Sequence, residues 1–390
     1  MRTSLYCFAV DLVGEGVGSV ARRARDAGID DLTVAAVYHE ARDYLPHHPR
    51  IRVHYARPGV AFRIEEELYP AHVRPAPLLE ACEGRDLLDE LAREDTGLEA
   101  WAVYLHNDGP PGQVGGVRNA WGDEHQGLLC AAHPEVRGYA LALTVDLCRP
   151  GVRAINAEVL HYLPFEHGFH HERRFAPLTR FERLLLSLCF CEACVALATD
   201  AGIDADALRA TVKATVGTGA EVDEWSRSAV GAALEGLDAY LRLRERTVAG
   251  LARDCASAAA ARGVSFAVLD VSAGIAGWAD GVSDGPLGAE LGWELGLDVG
   301  LLEEGRLLAV PYTSDPERVR AEVEAYQKAA DVPVDVLLRP MWPDSGSVED
   351  LSRKVAICRA LGVGRLGFYH YGMMPLDALD RVRASLAPGA

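Results

Sequence analysis

The sequence predicts an α/β fold, a single (β/α)8 barrel over residues 1–390. Three observations carry this expectation. Eight short β-rich runs recur along the chain, and longer helical patterns separate most of them, an alternation that implies a parallel sheet. Acidic, histidine and aromatic residues collect where the runs end, the face on which such barrels place chemistry. The 390 residues are 49% hydrophobic, enough to fill one large core.

The first strand is read over Leu5–Leu12. A helix over Gly16–Gly28 follows and closes on a glycine, a common C-terminal stop. Leu32–Val37, Glu99–Leu105 and Val152–Ala157 are the second, third and fourth strands, and Val264–Val271 is the fifth. Arg306–Tyr312, Val334–Arg339 and Arg365–Tyr369 complete the eight. Helical patterns cover Asp86–Glu94, Pro134–Cys148, Glu221–Arg262, Asp315–Ala330, Val348–Leu361 and Leu376–Leu386. Asp315-Pro316 and Ser345–Ser347 supply N-cap and first-turn signals.

Two stretches exceed a minimal barrel. Residues 41–83, with alternation near Arg52–Tyr55 and Val60–Ile64, are read as a β-hairpin insertion over the barrel mouth. Residues 200–262 are read as a helical insertion between the fourth and fifth strands.

The formal net charge is −18, from 57 acidic and 39 basic residues. That balance argues against nucleic acid and against anionic membrane surfaces. No secretory leader is read at Met1-Arg2-Thr3-Ser4, and the most apolar helical stretch, Leu184–Ala198, contains Glu192 and is too short to span a bilayer. Nine cysteines do not form a secreted disulfide pattern, so the expectation is a cytoplasmic protein, compatible with a homo-oligomer.

Strand ends then serve as a map of the site. Glu158 follows the fourth strand, and Asn156 shares its face by the two-residue period. Asp270 and Asp11 end the fifth and first strands, and either could pair with Glu158. Tyr38, His39, His106, Asn107, Arg339, Trp342, Tyr369 and His370 stand at other ends, with Trp121, His161 and Tyr162 on loops. Carboxylates with aromatics suit a carbohydrate: rings stack on apolar sugar faces, and paired acids manage the protons of glycoside cleavage. No cofactor is required. The metal alternative joins Glu158 to the strand-end histidines His39, His106 and His370 around a divalent ion, the chemistry of a sugar isomerase, epimerase or lyase. A non-catalytic sugar-binding barrel would bring only one carboxylate to the pocket. The loop His167–His171 reads as a hydrogen-bonded lid.

Cys189, Cys191 and Cys194 form C-x-C-x-x-C on a predicted helix. Zinc would need a fourth ligand, Cys130 or a histidine. The preferred reading is that of small buried side chains on an apolar helix.

Cys130-Ala131-Ala132-His133-Pro134, an acid at the fourth strand's end, and Cys189-Phe190-Cys191-Glu192-Ala193-Cys194 together resemble hypothetical glycoside-hydrolase-like barrels related to β-galactosidases and α-fucosidases. Tyr369-His370-Tyr371-Gly372 is similar to the Tyr-Asn-Tyr-Gly of their last strand. Tyr38-His39 with Leu45-Pro46-His47-His48-Pro49 looks like a largely uncharacterised actinobacterial branch. The resemblance implies a carbohydrate-facing barrel. Two departures stand out: Glu158 lies in Asn-Ala-Glu where those families carry Asp-Gly, and the seventh strand ends in Arg339-Pro340-Met341-Trp342 without their glutamate. The expected function is glycoside hydrolysis with Glu158 as the principal carboxylate and Asp270 or Asp11 as its partner.

Overall fold

The computed structural model describes all residues except 108–113, 168–172, 273–284 and 388–390. Eight strands form one closed parallel barrel. They are β1 (Arg2–Cys7), β2 (Asp31–Tyr38), β3 (Gly97–Val103), β4 (Val152–Glu158), β5 (Ser265–Asp270), β6 (Arg306–Ala309), β7 (Val334–Leu338) and β8 (Arg365–Phe368). Each pairs with its sequence neighbours, and β8 closes on β1. The strands are buried nearly throughout, as expected of a parallel sheet covered by helices on its outer face. The outer core lies between strands and helices; a smaller apolar cluster that includes Tyr6, Trp101, Leu269, Leu308 and Leu337 fills the barrel itself. Helix starts follow local chemistry. Asp315 caps helix Pro316–Ala329 and Ser347 caps Val348–Ala360, the two start signals read above.

The barrel's N-terminal end is closed by ionic groups. The Glu99 carboxylate (β3) accepts from Thr33 Oγ1 at 3.0 Å and Asn156 Nδ2 at 3.2 Å, and lies 3.2 Å from Arg365 on β8. Since β8 does not neighbour β3 in the sheet, this contact crosses the interior. Arg306 forks onto Asp335 through two 2.5 Å bonds, the planar match that guanidinium and carboxylate allow.

Four expectations change and one element is new. The first strand stops at Cys7, and Ala9–Glu15 is a helix, so Asp11 lies in a helical first turn. Its carboxylate accepts from Phe8 N at 2.8 Å, the position where a helix N-terminus favours negative charge. The predicted cysteine helix is two helices, Arg180–Leu186 and Glu192–Asp200, because the Thr179–Glu182 capping box starts the first and the chain re-enters helix only at Cys191. The long helix before β5 divides into Arg227–Ala232 and Leu237–Ala260 at Gly236, whose φ of 79° no helix interior accepts. The hairpin expected after β2 is present, with Ala41–Tyr44 paired to Val53–Ala56, but the stretch read from Val60 does not join it: Gly59–Val60 adds antiparallel to β2. A further hairpin, Gly116–Arg118 with Glu124–Leu129, was not expected. Asn119 organises its turn by accepting from Trp121 N at 2.9 Å and Asp123 N at 3.1 Å.

The helices between residues 180 and 260 build a separate apolar cluster that includes Phe181, Leu185, Leu188, Val212 and Leu241, with Phe190 stacked on Tyr240 at 5.2 Å. Among the described residues, no helix is long and apolar enough to cross a membrane.

Glu99→Ala would strand the Thr33 hydroxyl, the Asn156 amide and the Arg365 charge. A loss of about 3–5 kcal/mol in unfolding free energy is expected by urea titration at unchanged m. A loss below about 1 kcal/mol would show that the ionic floor does not hold the barrel.

Candidate active site

The site follows from strand alternation. Glu99 and Trp101 on β3, and Asn156 and Glu158 on β4, occupy alternate positions and therefore face inward together. The lower pair meets at the ionic floor. One layer higher, Trp101 Nε1 donates to Glu158 Oε2 at 2.6 Å. Tyr104 N and Leu105 N donate to the carbonyls of Glu158 and Val159 at 2.9 Å each, fixing the strand end. Val159 has a φ of 52°, a left-handed conformation that costs a β-branched residue on the order of 1–3 kcal/mol, and the surrounding bonds hold it there.

Glu158 opens on a cavity of about 510 Å³. Trp101, Tyr38, Tyr312 and Tyr369 line it with His39, His106, His167, Arg339, Glu40, Arg42 and Asp43. The rings form a continuous wall: Tyr38 meets Trp101 edge-on at 4.8 Å, and His39 stacks on His106 at 4.6 Å. Burial pushes the Glu158 carboxyl above the usual carboxylate range, while the His39 charge and the Trp101 N–H pull it back. Burial also lowers His106 to about 3 and His167 to about 4, so both rings are neutral at physiological pH. Arg339 forks onto Asp344 at 2.6 and 2.7 Å and covers the Tyr312 ring at 4.4 Å. Lys354 bonds the Asp344 carbonyl, and donates to the Thr313 carbonyl at 2.6 Å, from behind that pair.

Of the residues read from the sequence, Glu158, Tyr38, His39, His106, His167, Arg339 and Tyr369 converge on the cavity. The others lie outside its lining. Asp270 accepts from Tyr326 Oη and from Ser272 N, both at 2.8 Å, on the helix side of β5. Asp11 is buried against Gly372, where a Cβ would come within 2.1 Å of its carboxylate, and burial raises its pKa to about 7. Gly372 thus makes room for an acid at the end of the Tyr-His-Tyr-Gly run. Asn107 donates to the Arg74 carbonyl at 3.0 Å. Trp121 (43% exposed) and Trp342 (78% exposed) project to solvent. His370 is enclosed against Phe8 at 4.0 Å, and burial lowers it to about 3. His161 is buried and bonds the Tyr162 carbonyl at 2.7 Å, and Tyr162 faces the cysteines. Residues 168–171 of the expected lid lie outside the described residues.

Trp101 and Asp43 were missed. Period-two reading from Glu99 would have placed Trp101 inward. Asp43 carried a weaker signal, being the buried member between exposed Arg42 and Tyr44 on an insertion strand.

The cysteines are small buried side chains of the core, as read, but they also converge on one point. Cys130, at the end of the unexpected hairpin, joins Cys189, Cys191 and Cys194, and the four sulfurs lie within 4.8 Å of one another. Sγ of Cys130 is 3.3 Å from that of Cys194 and 3.6 Å from that of Cys191. Four thiolates around a zinc ion at a Zn–S distance of about 2.3 Å would stand about 3.8 Å apart, so the set fits a tetrahedral ion. All four ligands would come from protein, the closed arrangement of a structural site. Without a cation, thiols this close cannot all ionise. Hydrogen bonds from its neighbours favour the Cys191 thiolate, and they and burial push Cys130 and Cys194 up.

No family model and no curated protein matches this sequence. Among solved structures, the chain is similar to the catalytic domain of β-amylase from Paenibacillus polymyxa, with TM-score 0.54 and 10% identity over 99% of this chain and 97% of that one. It is similar to β-galactosidases from Marinomonas ef1 (TM-score 0.54, 9% identity) and Halorubrum lacusprofundi (TM-score 0.53, 14% identity). Those matches cover 98% and 99% of this chain but only 58% and 57% of the respective β-galactosidases. At these identities the likeness is one of fold.

Protein purified under reducing conditions is expected to carry about one zinc per chain by elemental analysis. Cys191→Ser should lower that content severalfold and reduce the melting temperature. Full zinc content in the variant would remove Cys191 from the ligand set.

Proposed function

We propose that this chain is a carbohydrate-active barrel enzyme of the glycoside-hydrolase type, with Glu158 as its proton donor. One observation carries the reading: a carboxyl group at the C-terminal end of β4 stands in a cavity walled by Trp101, Tyr38, Tyr312 and Tyr369, and burial holds it toward its protonated form. The aromatic faces suit the apolar faces of a sugar ring, and His39, His106 and Arg339 suit its hydroxyls. The β-amylase and β-galactosidase structures similar in fold are consistent with this reading.

In the proposed reaction the glycosidic oxygen approaches Glu158 from the cavity. Protonated Glu158 delivers its proton to that oxygen as the bond to the anomeric carbon breaks. The Trp101 N–H then stabilises the carboxylate that remains. The zinc that the cysteines would hold, distant in role, would supply only a fixed junction between the Cys130 segment and the helices beyond residue 188.

Glu158→Gln should lower kcat on an unactivated glycoside by about 10²–10⁴-fold with the melting temperature within a few degrees of wild type. Retained turnover would sink the assignment. The acid form must be present for turnover, so activity should persist above the usual carboxylate range and fall as pH rises through the elevated Glu158 pKa. Trp101→Phe removes a donor to the ionised form and should move that alkaline limb to higher pH. A limb that stays put or moves down would separate Glu158 from the titrating group.

A further inference from the structure

A single proton donor does not complete glycoside hydrolysis: the anomeric carbon also needs an activated water or a nucleophile. The usual position for a second acid, the end of β7, is occupied by Arg339, which is committed to Asp344. Asp270 and Asp11 lie outside the cavity lining, each tied to its own local partners.

Two other carboxylates line the cavity, Glu40 and Asp43. Glu40 is exposed. Asp43 is 7% exposed, and its Oδ2 has no hydrogen bond among the described residues. It sits on the hairpin strand Ala41–Tyr44, directly opposite His54, whose Nδ1 is 3.5 Å from that oxygen and likewise without a hydrogen bond. A buried carboxylate oxygen whose one neighbouring partner is the His54 ring at 3.5 Å holds spare accepting capacity. Asp43 and Glu158 also act on the same two groups: the charge of each raises the Tyr38 and Tyr369 phenols. The phenol pair therefore lies within the field of both acids.

We propose that Asp43 is the second catalytic carboxylate, acting as general base opposite Glu158; this rests on the glycoside-hydrolase reading of the cavity. Asp43 takes a proton from a water molecule as the water oxygen bonds to the anomeric carbon. The bond from that carbon to the glycosidic oxygen breaks, and Glu158 places its proton on the departing oxygen. The water's oxygen and remaining hydrogen stay on the sugar, and the proton on Asp43 leaves through solvent as Glu158 is reprotonated. The sugar inverts at the anomeric carbon. The hairpin after β2 is thereby part of the catalytic apparatus, with His54 positioning Asp43.

The test uses the full chain and a panel of 4-nitrophenyl and 2,4-dinitrophenyl glycosides of common hexoses, fucose and N-acetylhexosamines in both anomeric forms. Asp43→Asn should lower kcat by about 10²-fold or more on both leaving groups. Glu158→Gln should keep most of its activity only on the dinitrophenyl substrates, whose departure needs no proton. Sodium azide should restore turnover to Asp43→Asn and to the smaller Asp43→Ser, which guards against a variant that folds poorly, and yield a glycosyl azide of inverted configuration. Proton NMR of the first wild-type product should show the inverted anomer. Wild-type turnover with Asp43→Asn within about threefold of it, or a retained first product, would overturn the role of Asp43 and leave Glu158 standing. A wild-type chain that hydrolyses nothing in the panel and binds none of the parent sugars by calorimetry would overturn both.

Discussion

The hydrogen bond from the Trp101 indole to the Glu158 carboxylate is the contact on which the arrangement of the site depends. It exists because two adjacent parallel strands send alternate side chains into the same barrel, so one register fixes both partners. It also sets the acid's chemistry. Burial alone would hold Glu158 protonated, and a fully solvated carboxyl would ionise at ordinary acidic pH. The indole N–H and the His39 charge lie between these limits, stabilising the ionised form without restoring water. The ring that donates also belongs to the aromatic wall, making contact with Tyr6, Phe8, Tyr38 and Tyr369. Orientation of the acid and shape of the cavity therefore share one side chain.

The barrel was legible in the sequence because its strands are apolar runs of the right length bounded by turn residues. Glu158 was legible for the same reason: where a buried strand ends in an acid, geometry leaves that acid at the mouth. Less was legible where two structures satisfy the same residues. Leu5–Leu12 is apolar enough for either strand or helix, and Asp11 decides it by accepting the Phe8 N–H. Asp270 resembles Glu158 in position along its strand. Tyr326 on the covering helix turns it to the other face, and no local pattern announces a partner 56 residues away. Asp43 was hidden for a related reason. Its burial comes from the hairpin lying against the cavity, a tertiary fact, whereas its own strand alternates too briefly to stand out.

The cysteines show the limit of periodicity from the other direction. Read on one helix, three of them could not share a face, and the fourth lay 59 residues upstream of the first. Once the helix is interrupted between Leu186 and Glu192, the chain can wrap the three sulfurs around a point that Cys130 approaches from its own hairpin. Irregular backbone there is what permits the cluster. Cys189 also ties it inward, since its carbonyl accepts from Tyr240 on the longest helix. The junction thus joins the barrel wall to a second apolar cluster through bonds rather than through packing alone.

The closed floor has a consequence for traffic. Glu99, Arg365 and the fork of Arg306 with Asp335 block the barrel's lower end, and Tyr6 and Trp101 fill the space above them. Among the described residues, then, a molecule reaching Glu158 does so from the C-terminal mouth and not through the floor. A polymer can present a terminus to that mouth but cannot be threaded through the floor.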